Sequence, residues 1–62
     1  MTRINIEIVK QGNGYTFYKY VDGIKCGIEA TCPGRNLYST MKGIVNYYNN
    51  APDEIAVTFT LG

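Results

Sequence analysis

The 62-residue chain has no histidine, only two cysteines and two prolines, no surplus of either charge and no long apolar run. Without histidine it lacks the commonest general base and metal ligand. Cys26 and Cys32 are too few for a disulfide framework, and with five residues between them they make no tetrahedral zinc set. Six basic residues against five acidic ones give a net charge of +1. That is neither the basic excess of a duplex-DNA binder nor the acidic excess of a nucleic-acid mimic. No segment approaches the ~18 apolar residues needed to cross a bilayer, so no membrane partner is expected. Met1-Thr2-Arg3-Ile4-Asn5 has no signal-peptide core, and the initial Met speaks against a leader already removed, so a cytoplasmic location is expected.

The chain is 45% hydrophobic and 18% charged, an ordinary globular balance that argues against disorder. Its length allows one domain, residues 1–62, which buries only about 60% of its unfolded surface. Such a domain gains from a staple or a second copy of itself.

Arg3 to Ile8 alternates strictly, with Ile4, Ile6 and Ile8 on one side and Arg3, Asn5 and Glu7 on the other. Period two with β-branched residues predicts a half-buried strand. Gln11-Gly12-Asn13-Gly14 reverses it. Tyr15 to Val21 forms the second strand, and Asp22-Gly23 reads as a two-residue type I′ turn. This turn pairs Val21 with Ile24, Lys19 with Cys26, Phe17 with Ile28 and Tyr15 with Ala30. Lys19 is the misfit among apolar residues, since a lysine is rarely buried without a partner. A three-residue loop, Val21 to Gly23, would turn Lys19 outward with Tyr18 and Tyr20 inward, but it sets Lys19 against Lys25 and exposes Phe17. The type I′ register is favoured. For the first hairpin, Ile8 opposite Tyr15 leaves a four-residue tip from Lys10 to Asn13, with Ile6 facing Phe17 and Ile4 facing Lys19.

Thr31 to Arg35, containing Pro33-Gly34, is a connection. Leu37, Met41, Ile44, Val45 and Tyr48 then recur on one face of an amphipathic helix, with Asn36 as N-cap and Pro52 beyond its end. Gly43 inside it costs about 1 kcal/mol relative to Ala and lies off the apolar stripe. The stretch Glu54 to Leu61 alternates again, with Ile55, Val57, Phe59 and Leu61 apolar. The expected fold is α+β: a β-β-β-α-β domain whose helix packs on one face of a four-stranded mixed sheet. Order 3-2-1-4 is favoured because it places the Ile-rich strand centrally; the alternative sets the last strand beside the third. Antitoxin domains of the HicB type and fragments of ribonuclease-H-like folds share this element order, a likeness of layout that carries no function.

The face away from the helix has nothing in the chain to cover it. The favoured register places Arg3, Tyr20 and Lys25 across one end, Asn5, Tyr18 and Gly27 across the middle, and Glu7, Thr16 and Glu29 across the other end. Three readings compete: a solvated face with strand-favouring tyrosines, a protein contact surface, and a stacking platform for single-stranded nucleic acid. Only Arg3 and Lys25 would serve phosphates there, and Glu7 and Glu29 would repel them. Basic and acidic ends could complement each other about a two-fold axis, so a homodimer is a natural form of the second reading. On the helix, Tyr47 is a further contact candidate.

No catalytic constellation emerges. Asp22 belongs to its turn, and Asp53-Glu54 to a loop. Glu7 and Glu29 are expected about 9.5 Å apart, a separation that suits paired carboxylates, but a flat face offers no pocket to raise one pKa. Lys19 against apolar surface could lose its proton and act as a nucleophile; the blander readings are a snorkelling stem or a mistaken register. Cys26 is expected in the core opposite Lys19. Cys32, in the loop before the helix, lacks a histidine to take its proton. Gly12-Asn13-Gly14 lacks the following helix of a phosphate loop, and Pro33-Gly34-Arg35-Asn36 is a weak anion signal. The expected function is a non-catalytic interaction module (inhibitor, antitoxin-like protein or accessory subunit) without cofactor or metal. Its partner is a protein or a second copy, and its surface comprises Tyr18, Tyr20, Arg3, Lys25, Glu7, Glu29 and Tyr47. The alternative is a weak single-stranded nucleic-acid binder stacking bases on Tyr18 and Tyr20.

Overall fold

The computed structural model describes all 62 residues. Strands β1 (Thr2–Gln11), β2 (Gly14–Val21) and β3 (Ile24–Pro33) are followed by a 3₁₀ turn (Gly34–Asn36), helix α1 (Leu37–Asn49) and strand β4 (Ile55–Leu61). The sheet order is β3-β2-β1-β4, with β4 parallel to β1 and the other pairs antiparallel. The expected α+β class, element order and strand order are all present. No helix is long and apolar enough to cross a membrane.

Alternation in β1 decides the core. Ile4, Ile6 and Ile8 are buried with Phe17 of β2 against Ile44 and Tyr48 of α1. Leu37, Met41, Val57 and Phe59 are half-buried around them. The molecule is only 15 Å through its shortest dimension, so just seven residues are buried. Each fully buried aliphatic or aromatic side chain contributes about 1.5–3 kcal/mol, and few are available.

Both hairpins close with two residues. Asp22 and Gly23 have φ of 49° and 88°, the two positive values a type I′ turn demands. The Asp22 carboxylate accepts a 3.1 Å hydrogen bond from the Arg3 amide, while the Asp22 amide donates to the Arg3 carbonyl at 2.9 Å. The first turn is Gly12-Asn13, with Gln11 opposite Gly14, not the four-residue tip expected. Ile8 therefore meets Phe17, Ile6 meets Lys19 and Ile4 meets Val21. The difference is an even two residues, so every side chain keeps its face.

β3 departs further. The pairing shifts between Lys19 and Tyr20 and again between Phe17 and Tyr18, so Cys26 and Glu29 are extra residues with no partner on β2. Lys19 faces Gly27, Tyr18 faces Ile28, Phe17 faces Ala30 and Tyr15 faces Cys32. Three expectations fall with this. Cys26 is exposed, its thiol donating to the Ile24 carbonyl at 3.4 Å, and is not in the core. Ile28 does not join Phe17 and is 62% exposed. Gly27 lies opposite Lys19, not Tyr18, with a φ of 124° that a side chain rarely tolerates. Lys19 does lie on the helix side, as the type I′ turn implies, and the bare backbone of Gly27 leaves room beside it.

Two further corrections concern the approach to the helix. β3 runs to Pro33, so Cys32 sits in a strand, half-buried against the core, and not in a loop. Asn36 occupies the cap position but its side chain makes no capping hydrogen bond. The preceding 3₁₀ turn supplies the helix entry, and the Leu37 amide donates to the Gly34 carbonyl.

Candidate functional site

The uncovered face of the sheet collects side chains from all four strands. One row across it runs Thr58, Asn5, Tyr20, Lys25, and the next runs Thr60, Glu7, Tyr18, Ile28. Asn5 Nδ2 donates to both Thr58 Oγ1 and Thr60 Oγ1 at 2.9 Å. The Tyr20 hydroxyl donates to Glu7 Oε1 at 3.2 Å. The Lys25 ammonium lies 4.2 Å from the centroid of the Tyr18 ring, a cation–π distance. These contacts hold the two tyrosines across the sheet, half-buried, with Ile28 exposed at their edge. A shallow depression of about 800 Å³ opens at one end of the face, lined by Arg3, Asn5, Asp22, Ala56 and Thr58.

Five of the seven residues expected to form the surface share this face: Tyr18, Tyr20, Arg3, Lys25 and Glu7. Glu29 and Tyr47 do not. The second bulge turns Glu29 to the helix side, where its carboxylate accepts a hydrogen bond from the Tyr48 hydroxyl. Tyr47 lies exposed on α1, edge-on to Tyr48 with ring centroids 5.1 Å apart. The face therefore has no acidic end matching its basic one, and Glu7 and Glu29 stand on opposite faces of the sheet. Ile28 is the residue the sequence reading missed. Gly27, isolated within a strand pattern, is the local signal of a bulge that would have brought it out.

On the helix side, Lys19, Tyr48 and Glu29 form a polar cluster at the margin of the core. The Lys19 ammonium is 5.4 Å from the Tyr48 ring centroid. The neighbouring Tyr48 hydroxyl is the main influence holding the Lys19 pKa above its ordinary 10.5. Burial, then the hydrogen bond to Glu29, holds Tyr48 above its ordinary 10.0. Lys19 thus keeps its proton more firmly than a free lysine, the reverse of what a nucleophilic lysine needs. Both cysteines are free thiols. No group of three or more Cys, Asp or Glu side chains is placed to hold a metal ion.

In comparisons with known proteins, no family model matches the chain, and neither a curated protein nor a solved structure matches it. Its functional reading therefore rests on the surfaces themselves.

Proposed function

We propose that the chain is a non-catalytic protein-interaction module that docks a protein partner on the open face of its sheet. The observation that carries this reading is the patch of Tyr18, Tyr20 and exposed Ile28 on two adjacent rows, which no other element of the chain covers. Tyrosine supplies contact area at low entropic cost, and anchors of this kind dominate interface energetics. The charges around the rings, Arg3, Lys25 and Glu7, are of both signs and suit a mixed polar rim. A single-stranded nucleic acid suits the face less well. Glu7 sits at the hydroxyl of one ring and Lys25 already lies over the other. The roles that fit are an inhibitor, an antitoxin-like protein or an accessory subunit. A cytoplasmic setting accords with two free thiols.

The test is capture from the native host by the tagged chain, followed by affinity measurements with the recovered partner. Ile28→Asp and Tyr18→Ala are expected to weaken binding at least about tenfold, as anchor residues do. Tyr47→Ala, on the helix, leaves it unchanged. Salt-sensitive binding to single-stranded oligonucleotides, lost in Lys25→Ala, would overturn the proposal in favour of nucleic acid.

A further inference from the structure

We infer that the outer edge of β4 pairs with β4 of a second copy of this chain, antiparallel about a two-fold axis through Thr58, to make one eight-stranded sheet. The two edges of the sheet are built differently. β3 is an edge with two bulges, a lysine, a left-handed glycine and a terminal proline, the devices that discourage strand addition. β4, Ile-Ala-Val-Thr-Phe-Thr-Leu, has no charge, no proline and no bulge. It is an open template.

The backbone sets the register. The Glu54 carbonyl accepts from the Thr2 amide, and the Gly62 amide donates to the Ile8 carbonyl. Since backbone groups alternate in direction along a strand, even-numbered residues bond to β1. The amides and carbonyls of Ile55, Val57, Phe59 and Leu61 therefore point away from it. Antiparallel pairing about Thr58 sets Ile55 against Leu61 of the second copy and Val57 against its Phe59. These are the hydrogen-bonded pairs, and all seven residues of the strand are used. The two Thr58 side chains then meet at the axis on the open face. Each already accepts from Asn5, so its own hydroxyl proton is free to bond across.

Charge and area agree with this occupant. Exposed Asp53 and Glu54 precede β4, and Lys42 lies over Tyr38, lining a groove with Phe59 on the helix side of the strand. The two-fold axis carries the carboxylates of each copy toward the Lys42 end of the other and brings no like charges together within the strand. Leu61 is 81% exposed and Tyr38 72%. With the strand edge they supply on the order of 500–600 Å² per copy, near the lower limit of a specific interface.

Sedimentation of the full chain tests this without any other partner, so its outcome is separate from that of the proposed function. Self-association over about 10 μM to 1 mM is expected, with Thr58→Lys weakening it at least about tenfold by setting two ammonium groups across the axis. Circular dichroism reports whether that variant is folded. In a Cys26→Ser/Cys32→Ser background, Thr58→Cys should cross-link on mild oxidation, because Cα atoms of such a pair stand about 4.5 Å apart. Thr60→Cys, facing Ala56 of the second copy, should not. A chain that stays monomeric at about 1 mM, a folded Thr58→Lys variant that still dimerises, or equal cross-linking at both positions overturns the inference.

Discussion

Removing one oxygen atom, in Tyr48→Phe, separates the polar cluster from the apolar core it borders. The ring is 6% exposed and packs with Ile4, Ile6, Ile8 and Phe17; phenylalanine keeps that packing and still faces the Lys19 ammonium. What is lost is the hydroxyl that donates to Glu29. A hydrogen bond to a charged group is worth about 1.5–3 kcal/mol. Glu29 is only half-buried, so water replaces part of it and the expected loss is about 1–1.5 kcal/mol. In a domain of this length the whole stability is about 3–9 kcal/mol, and the midpoint of thermal unfolding should fall by roughly 5–10 °C. The pH profile carries a second signature. Tyr48 and Lys19 both have raised native pKa values, so the native state binds more protons than the unfolded chain in alkali. Their stabilisation is complete below pH 10.0 and is lost as pH rises through the native values. In Tyr48→Phe the tyrosine contribution disappears, and with it the main influence on Lys19, so the alkaline decline should flatten. Urea titrations of both proteins at neutral pH and above pH 10.0 measure this. Equal midpoints at neutral pH together with parallel alkaline profiles would refute the assigned roles of Tyr48, Lys19 and Glu29.

Two other substitutions probe the helix. Gly43→Ala should stabilise the protein by about 1 kcal/mol, because Gly43 is helical and exposed and an added Cβ would meet nothing within 4 Å; a loss of stability in chemical denaturation would show a constraint not visible in the packing. Asn36→Ala should cost less than about 0.5 kcal/mol, below the usual N-cap loss of ~1 kcal/mol, since the Asn36 side chain caps nothing; a full-sized loss would contradict the helix entry described above.

Much of this fold was legible because its main signals are periodic. Three isoleucines at every second position of β1 and the helical spacing of Leu37, Met41, Ile44 and Tyr48 identify the buried sides without any pairing information. Asp22-Gly23 set the register next to it, and Lys19, though it looked misplaced, lies on the predicted side. The first hairpin was read two residues out because Gly12-Asn13 and the longer tip satisfy the same alternation, and only backbone geometry chooses between them. The candidate surface was legible where strands pair regularly, at Tyr18, Tyr20, Asn5 and Glu7. It failed on β3 beyond Lys25, where unpaired residues erase the rule that even spacing means a shared face. Glu29 and Ile28 exchanged surfaces for that reason. The Asn36 cap failed differently: residue type identifies a cap position, but whether the oxygen reaches an amide depends on the turn before it.

The paired bulges of β3 have a bearing on how this strand can change over time. One supernumerary residue inverts the facing of everything after it, and a second restores the original phase. Ala30 and Cys32 accordingly pack against the core just as they would in a strand with neither bulge, and only the window from Gly27 to Glu29 is inverted. Deleting Cys26 or Glu29 removes an unpaired residue and leaves the pairs Lys19 with Gly27, Tyr18 with Ile28 and Phe17 with Ala30 as they are, so the end of the strand keeps its facing. The two bulges thus cancel in phase, so the outward residues beside Tyr18 differ from those of an unbulged strand while Ala30 and Cys32 keep the facing they would have there.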